Sequence, residues 1–308
     1  MKNGILQHKS SLEKVSYFIG LCLLSKFFFS FVSIYLCSVI FNVDLINLSI
    51  DLDLNNVNNI RAYKLASVID QIGTFLLPVL FFAKLISKKP TTLWFLKKIE
   101  PQYFLLIIPL FIIIITISNL LLLINYNIDL SFLSPEIEKS INDSQQSIDN
   151  IHHSFIGISI KSYLLNILVM AIVPAFCEEI IFRGMLQGLF SKWTNNIHLG
   201  ISISAILFAL LHFQFYNFLA LLFIGFTFSY ITLLCGTIWI TIILHFLFNL
   251  FSLTNVYLIR NQLLSENSWS ITTWTLLFTA SILSIGCVYY LLKRKNKLAD
   301  SKGNYDEF

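Results

Sequence analysis

Charge is scarce in this chain. Only 12% of its 308 residues are Asp, Glu, Lys or Arg, 56% are hydrophobic, and the mean hydropathy is +0.75. A soluble domain of this length does not carry such a composition, so the class is an all-α polytopic membrane protein. Strand-like alternation is lacking too. The apolar runs are continuous, which excludes a transmembrane β-barrel. Paired cysteines are missing: Cys22, Cys37, Cys177, Cys235 and Cys287 lie singly in apolar segments, and none forms a CxxC pair. They read as small buried apolar residues that require no oxidising compartment. No internal repeat is evident, which removes the inverted-repeat signature of many transporters. The net charge of +4 rests on Lys and Arg at helix ends, a topology signal rather than a nucleic-acid footprint.

What the chain has is long apolar runs. Eight candidate spans fall at about 15–41, 64–86, 103–126, 162–190, 197–213, 217–235, 237–255 and 271–292. About eight transmembrane helices in a bundle are therefore expected. The first run is too long for a signal-peptide core and reads as the first span. Basic and acidic connections alternate. Lys2, Lys9 and Lys14 precede the first span; Lys84, Lys88, Lys89, Lys97 and Lys98 follow the second; Lys293, Arg294, Lys295 and Lys297 follow the last. Asp44, Asp51 and Asp53 follow the first span, and Asp129, Glu136, Glu138, Asp143 and Asp149 the third. The positive-inside rule then puts both termini in the cytoplasm of a multi-pass protein in the cytoplasmic membrane. Three parts are expected: three spans with a polar external loop over 1–161, a five-span region over 162–292, and a polar tail over 293–308. The long connection at 127–161 reads as a loop with short helical pieces. Trp94, Trp193, Trp269 and Trp274 sit near span ends, as belt residues do.

Polar groups inside the spans carry the functional reading. Pro174-Ala175-Phe176-Cys177-Glu178-Glu179-Ile180-Ile181-Phe182-Arg183-Gly184 places three charges within six residues of an apolar helix. Each costs at least about 2.5–3.5 kcal/mol at the bilayer centre, so they face protein or a water-filled cavity. Glu179 and Arg183 are i,i+4 and expected to pair. Glu178 lies about 100° round the helix and is left free, which suits a general base. Pro174 removes a backbone donor and is expected to kink the helix one turn before Glu178. His212 closes the fifth span; His245 and Asn249 share one face of the seventh. Lys26 and Asp70-Gln71 are further polar intruders, read as helix–helix contacts, with Asp70 alternatively lining an access route. Glu178, His212, His245 and Asn249 suit the activation of water. His212 and His245 with a carboxylate can hold Zn²⁺ with an open position. Alternatively Glu178 and His212 polarise water directly while His245 and Asn249 donate to an oxyanion. Counting along the spans puts Glu178 and His212 roughly 10 Å apart in height, a gap that tilt or a later membrane crossing must close.

Glu178-Glu179-x-x-x-Arg183-Gly184, Phe208-x-x-x-His212 and His245-x-x-x-Asn249, the last preceded by Gly236-Thr237-Ile238-Trp239, resemble the motif set of the CPBP family. That family comprises the CAAX-prenyl-endopeptidase-like and bacteriocin-processing (Rce1/Abi-type) intramembrane proteases. The resemblance covers about 165–255. It implies an eight-span bundle with an intramembrane catalytic cavity, and endoproteolysis of a peptide or membrane protein in contact with lipid. It implies Glu178 as the water-activating base and His212 as its partner. His245 and Asn249 become ligand or oxyanion groups, and Glu179 and Arg183 support. Prenylated CAAX tails are not implied as the substrate. The cofactor is open. His212 and His245 are ligands only if zinc is bound, and direct activation is favoured because no second free carboxylate remains once Glu178 becomes a ligand. A scaffold or bacteriocin-immunity protein on the same fold, and a proton-linked transporter, are the competing classes.

Overall fold

The computed structural model describes residues 4–43, 56–87, 98–128, 130, 134–156, 159–265, 275–286 and 288. The readings placed on Lys2, Asp44, Asp51, Asp53, Lys88, Lys89, Trp94, Lys97, Asp129, Trp269, Trp274, Cys287 and the tail 293–308 lie outside these residues.

Nine helices follow one another among the described residues: α1 Ser11–Phe41, α2 Val57–Ile86, α3 Pro101–Tyr126, α4 Pro135–Phe155, α5 Ile160–Thr194, α6 Ile197–Leu210, α7 Phe218–Cys235, α8 Trp239–Arg260 and α9 Thr275–Gly286. Six of them, α1, α2, α3, α5, α7 and α8, are long and apolar enough to cross a membrane, while α6 and α9 are shorter apolar helices. The chain is an all-α, multi-pass membrane protein. Leu24, Phe27, Phe28 and Phe31 of α1 point outward, where lipid rather than water accommodates them.

Local chemistry sets the helix starts. Ser10 and Glu13 form a reciprocal capping box ahead of α1. Asn56 caps α2 by accepting from the Asn58 amide at 2.9 Å. Asn196 does the same for α6 through the amides of His198 and Leu199.

Prolines shape the two helices that matter most. In α2 a π-helical stretch, Ile72–Leu76, directly precedes Leu77-Pro78. In α5 another, Ile167–Ile172, directly precedes Val173-Pro174. In each case the missing proline N–H is accommodated by a widened turn, so the Pro174 kink takes this form. One carbonyl of the α2 stretch, that of Gly73, accepts from Ser25 of α1 at 2.7 Å. Gly73 is required there, because a Cβ would strike the Phe29 ring.

The buried core surrounds α5. Ile180, Ile181, Phe182, Met185 and Leu186 pack with Phe18, Phe82, Phe208, Phe228 and Leu244 from five other helices. Lys26 pairs with Asp70 at 2.6 Å, and Ser30 and Thr74 also approach Asp70, so these intruders form a helix–helix contact.

The long polar connection differs from expectation. Residues Pro135–Phe155 form one continuous helix of 21 residues rather than short pieces. The signal is in the sequence. Ser134 accepts from the amides of Ile137 and Glu138, Pro135 opens the helix, and Glu136 and Glu138 complement its dipole. Ile137, Ile141, Ile148, Ile151 and Phe155 repeat at helical spacing and give it one apolar face. Its C-terminal end is pinned: the Phe155 carbonyl accepts from Lys64 Nζ at 2.8 Å and from Asn166 Nδ2 at 2.7 Å. The Tyr216 hydroxyl donates to Asn142 at 2.7 Å further up.

Candidate active site

Glu178 and Glu179 lie on the α-helical stretch Val173–Ile181, bracketed by the π-helical stretches Ile167–Ile172 and Phe182–Leu186. The two carboxylates face different surroundings, as their angular offset requires.

Glu179 is fully buried. Its Oε1 accepts from Arg183 at 2.7 Å and from His245 Nδ1 at 2.9 Å. Arg183, 1% exposed, also donates to the Gly225 carbonyl at 3.2 Å. Its guanidinium lies over the rings of Phe208 and Phe228, 4.6 and 5.3 Å from their centroids. Gly225 packs closely enough that a Cβ would sit 3.0 Å from the Ala205 carbonyl, which brings α7 within reach of Arg183. A buried charge is thus met by a carboxylate, a carbonyl and two aromatic faces.

Glu178 is 7% exposed and faces the interior of the bundle. Its Oε1 accepts from Gln71 of α2 at 3.3 Å. Its Oε2 is buried without a hydrogen-bond partner. That oxygen lies 3.8 Å from His212 Nε2 and 3.9 Å from His245 Nε2. The tautomers follow from the acceptors behind each ring. His212 Nδ1 meets the Phe208 carbonyl at 2.7 Å, and His245 Nδ1 meets the Glu179 carboxylate. Carbonyl and carboxylate oxygens only accept, so both Nδ1 atoms carry hydrogen, and in the neutral form each ring turns an Nε2 lone pair toward Glu178.

The expected height difference between Glu178 and His212 is absent. α5 and α6 form a hairpin about the turn at Asn195-Asn196, and the two residues lie nearly equally far from it along the chain, so they come level. His212 lies beyond the end of α6, in the turn that leads to Phe213 with its positive φ of 52°.

Asn249 is one turn beyond His245 on α8. It lines two cavities that meet at His212, Gln214, Asn249, Ser252 and Val256. The first, about 440 Å³, contains Glu178 and is roofed by Ile148, Ile151 and Phe155 of α4. The second, about 370 Å³, contains His245 and lies against Ser118 and Asn119 of α3. Sequence reasoning had not singled out Gln214. It had noted Gln71 only as a helix contact. Neither carries a charge that would mark it in an apolar run.

Comparison with known proteins places this region. Residues 160–251 match the family described as Type II CAAX prenyl endopeptidase Rce1-like. A protein of Bacillus subtilis (strain 168), "Putative membrane peptidase YdiL", is 34% identical over 92 residues. That stretch is 30% of this chain and 37% of the relative. No solved structure matches. The matched region contains Glu178, Glu179, Arg183, His212, His245 and Asn249 and bears out the family resemblance read from those motifs. α1 to α4 lie outside it.

Proposed function

We propose that the chain is an intramembrane endopeptidase in which Glu178 activates water for attack on a peptide bond. The observation that carries this reading is the unpartnered Glu178 Oε2 facing two imidazole nitrogens at 3.8 and 3.9 Å. Those separations are too long for direct hydrogen bonds and leave room for a water between the three atoms.

In the reading, water donates one proton to Glu178 Oε2 and is oriented by His212 Nε2. Its oxygen adds to the scissile carbonyl carbon as the proton moves to Glu178. The carbonyl oxygen becomes an oxyanion beside His245 and Asn249. Asn249 is the neutral donor to it, while the Nδ1–H of His245 is committed to Glu179 and orients the ring. Glu178 then returns the proton to the leaving amine as the C–N bond breaks.

Zinc fits these residues poorly. Among the described residues no trio of His, Cys, Asp and Glu is arranged to hold a metal ion. Ligands at 2.0–2.1 Å in a tetrahedron lie roughly 3.4 Å apart, closer than Glu178 stands to either histidine. If Glu178 became a ligand, the base would have to be Glu179, whose Oε1 already serves Arg183 and His245 and whose Oε2 is buried without a hydrogen-bond partner.

The test is incubation of purified protein with membrane peptides and mass analysis of the fragments, with Glu178→Gln as the control. Cleavage that persists in the variant refutes Glu178 as the base.

A further inference from the structure

Gln71 stands in a part of the chain that neither the motifs nor the family match reach. It is the last residue of the first α-helical stretch of α2, directly before the π-helical stretch Ile72–Leu76. Its Nε2 donates to Glu178 Oε1 at 3.3 Å, across 107 residues of sequence. Its Oε1 is buried and has no hydrogen-bond partner. Only one orientation of the amide is open: a flip would set its oxygen against a carboxylate oxygen, acceptor to acceptor. The side chain thus leaves one polar atom unsatisfied while keeping its donor on Glu178.

The two oxygens of Glu178 are divided by this contact. With Oε1 held from the α2 side, Oε2 is the oxygen left facing His212 and His245. Without a donor on Oε1, rotation about the terminal bond of Glu178 is soft and broadly two-fold. The position of Gln71 is itself fixed. Ser25 holds the Gly73 carbonyl two residues on, and Lys26 and Ser30 hold Asp70 one residue back.

We propose that Gln71 is a positioning residue that fixes the Glu178 carboxylate with Oε2 toward the two imidazoles. The inference rests on the endopeptidase reading and extends the site to α2, outside the matched region. A residue with this role affects turnover more than binding.

Two measurements test it. The first needs no substrate: a double-mutant cycle on thermal unfolding in detergent, using Gln71→Met, Glu178→Leu and the double variant. The two side chains are coupled if Gln71→Met lowers the transition temperature in the wild-type background but not beside Glu178→Leu. Additive shifts overturn the proposal whatever the activity. The second is steady-state cleavage. Gln71→Met is expected to lower kcat by about 10–100-fold with KM within about threefold, whereas loss of packing alone would change folded yield and leave kcat per folded molecule intact. Gln71→Asn, which shortens the same amide, carries the same expectation should the methionine variant not fold. Full kcat in the Gln71 variants, with Glu178→Gln inactive, overturns the role of Gln71 and leaves the endopeptidase reading standing. Wild-type protein that cleaves nothing, or Glu178→Gln protein that still cleaves, overturns that reading and the positioning role with it.

Discussion

His245 donates Nδ1–H to Glu179 across 2.9 Å, and this contact ties α8 to α5 at the level of Glu178. Arg183 reaches the same oxygen at 2.7 Å. One carboxylate oxygen therefore neutralises a buried guanidinium and orients the imidazole that faces the neighbouring glutamate. The adjacent acids have separate tasks because helical geometry turns them to different partners.

Glu178→Gln is expected to abolish peptide cleavage while leaving the fold intact. A carboxamide is nearly isosteric with the carboxylate and keeps the contact with Gln71, but it cannot take a proton from water. Fragment analysis by mass spectrometry and thermal unfolding of the same sample check the two halves of this statement. Residual turnover above background, or a collapsed fold, contradicts it.

Arg183→Ala is expected to cost about 3–5 kcal/mol, because removing one partner of a buried pair strands the other. Folded yield in detergent should fall sharply, read by size-exclusion chromatography. Arg183→Lys should rescue little, since an ammonium cannot bridge Glu179 and the Gly225 carbonyl while stacking on Phe208 and Phe228. Normal yield with lost turnover would instead assign Arg183 a direct part in the chemistry.

Turnover is expected to survive metal removal. Protein shown by elemental analysis to lack transition metal should keep its rate in excess chelator. Stoichiometric zinc, whose removal stops cleavage and whose return restores it, would establish a metalloprotease.

The charge pattern predicts that α4 lies outside the cell and the connection before α3 inside. In a variant lacking the native cysteines, Asp143→Cys should react with an impermeant maleimide in intact cells, and Lys98→Cys only after permeabilisation. The reverse pattern inverts the topology.

Much of the bundle was legible because an apolar run near 20 residues has few alternatives to a spanning helix. The Glu179–Arg183 pair was legible from spacing alone, and so was the offset of Glu178. The level placement of Glu178 and His212 was not. It depends on where the α5–α6 hairpin turns, and Trp193 to Asn196 give only a weak boundary signal. Gln71 was obscured for another reason: its partner lies 107 residues away, and one neutral amide in α2 does not reveal which helix it faces. The roof helix α4 was missed because polarity drew attention from the isoleucines that recur along one face.

The π-helical stretches also give α5 a phase. Each holds one residue more per turn than an α-helix, so the face before Ile167 is offset by about 100° from where an unbroken α-helix would carry it. That offset turns Tyr163 toward Thr254 and Asn166 toward the Phe155 carbonyl at the same time as Glu178 faces the histidines. A substitution within Ile167–Ile172 keeps this register. Deleting one residue there restores plain α-helix and swings Tyr163 and Asn166 off their partners, so the roof over the cavity and the acid beneath it share one count of residues.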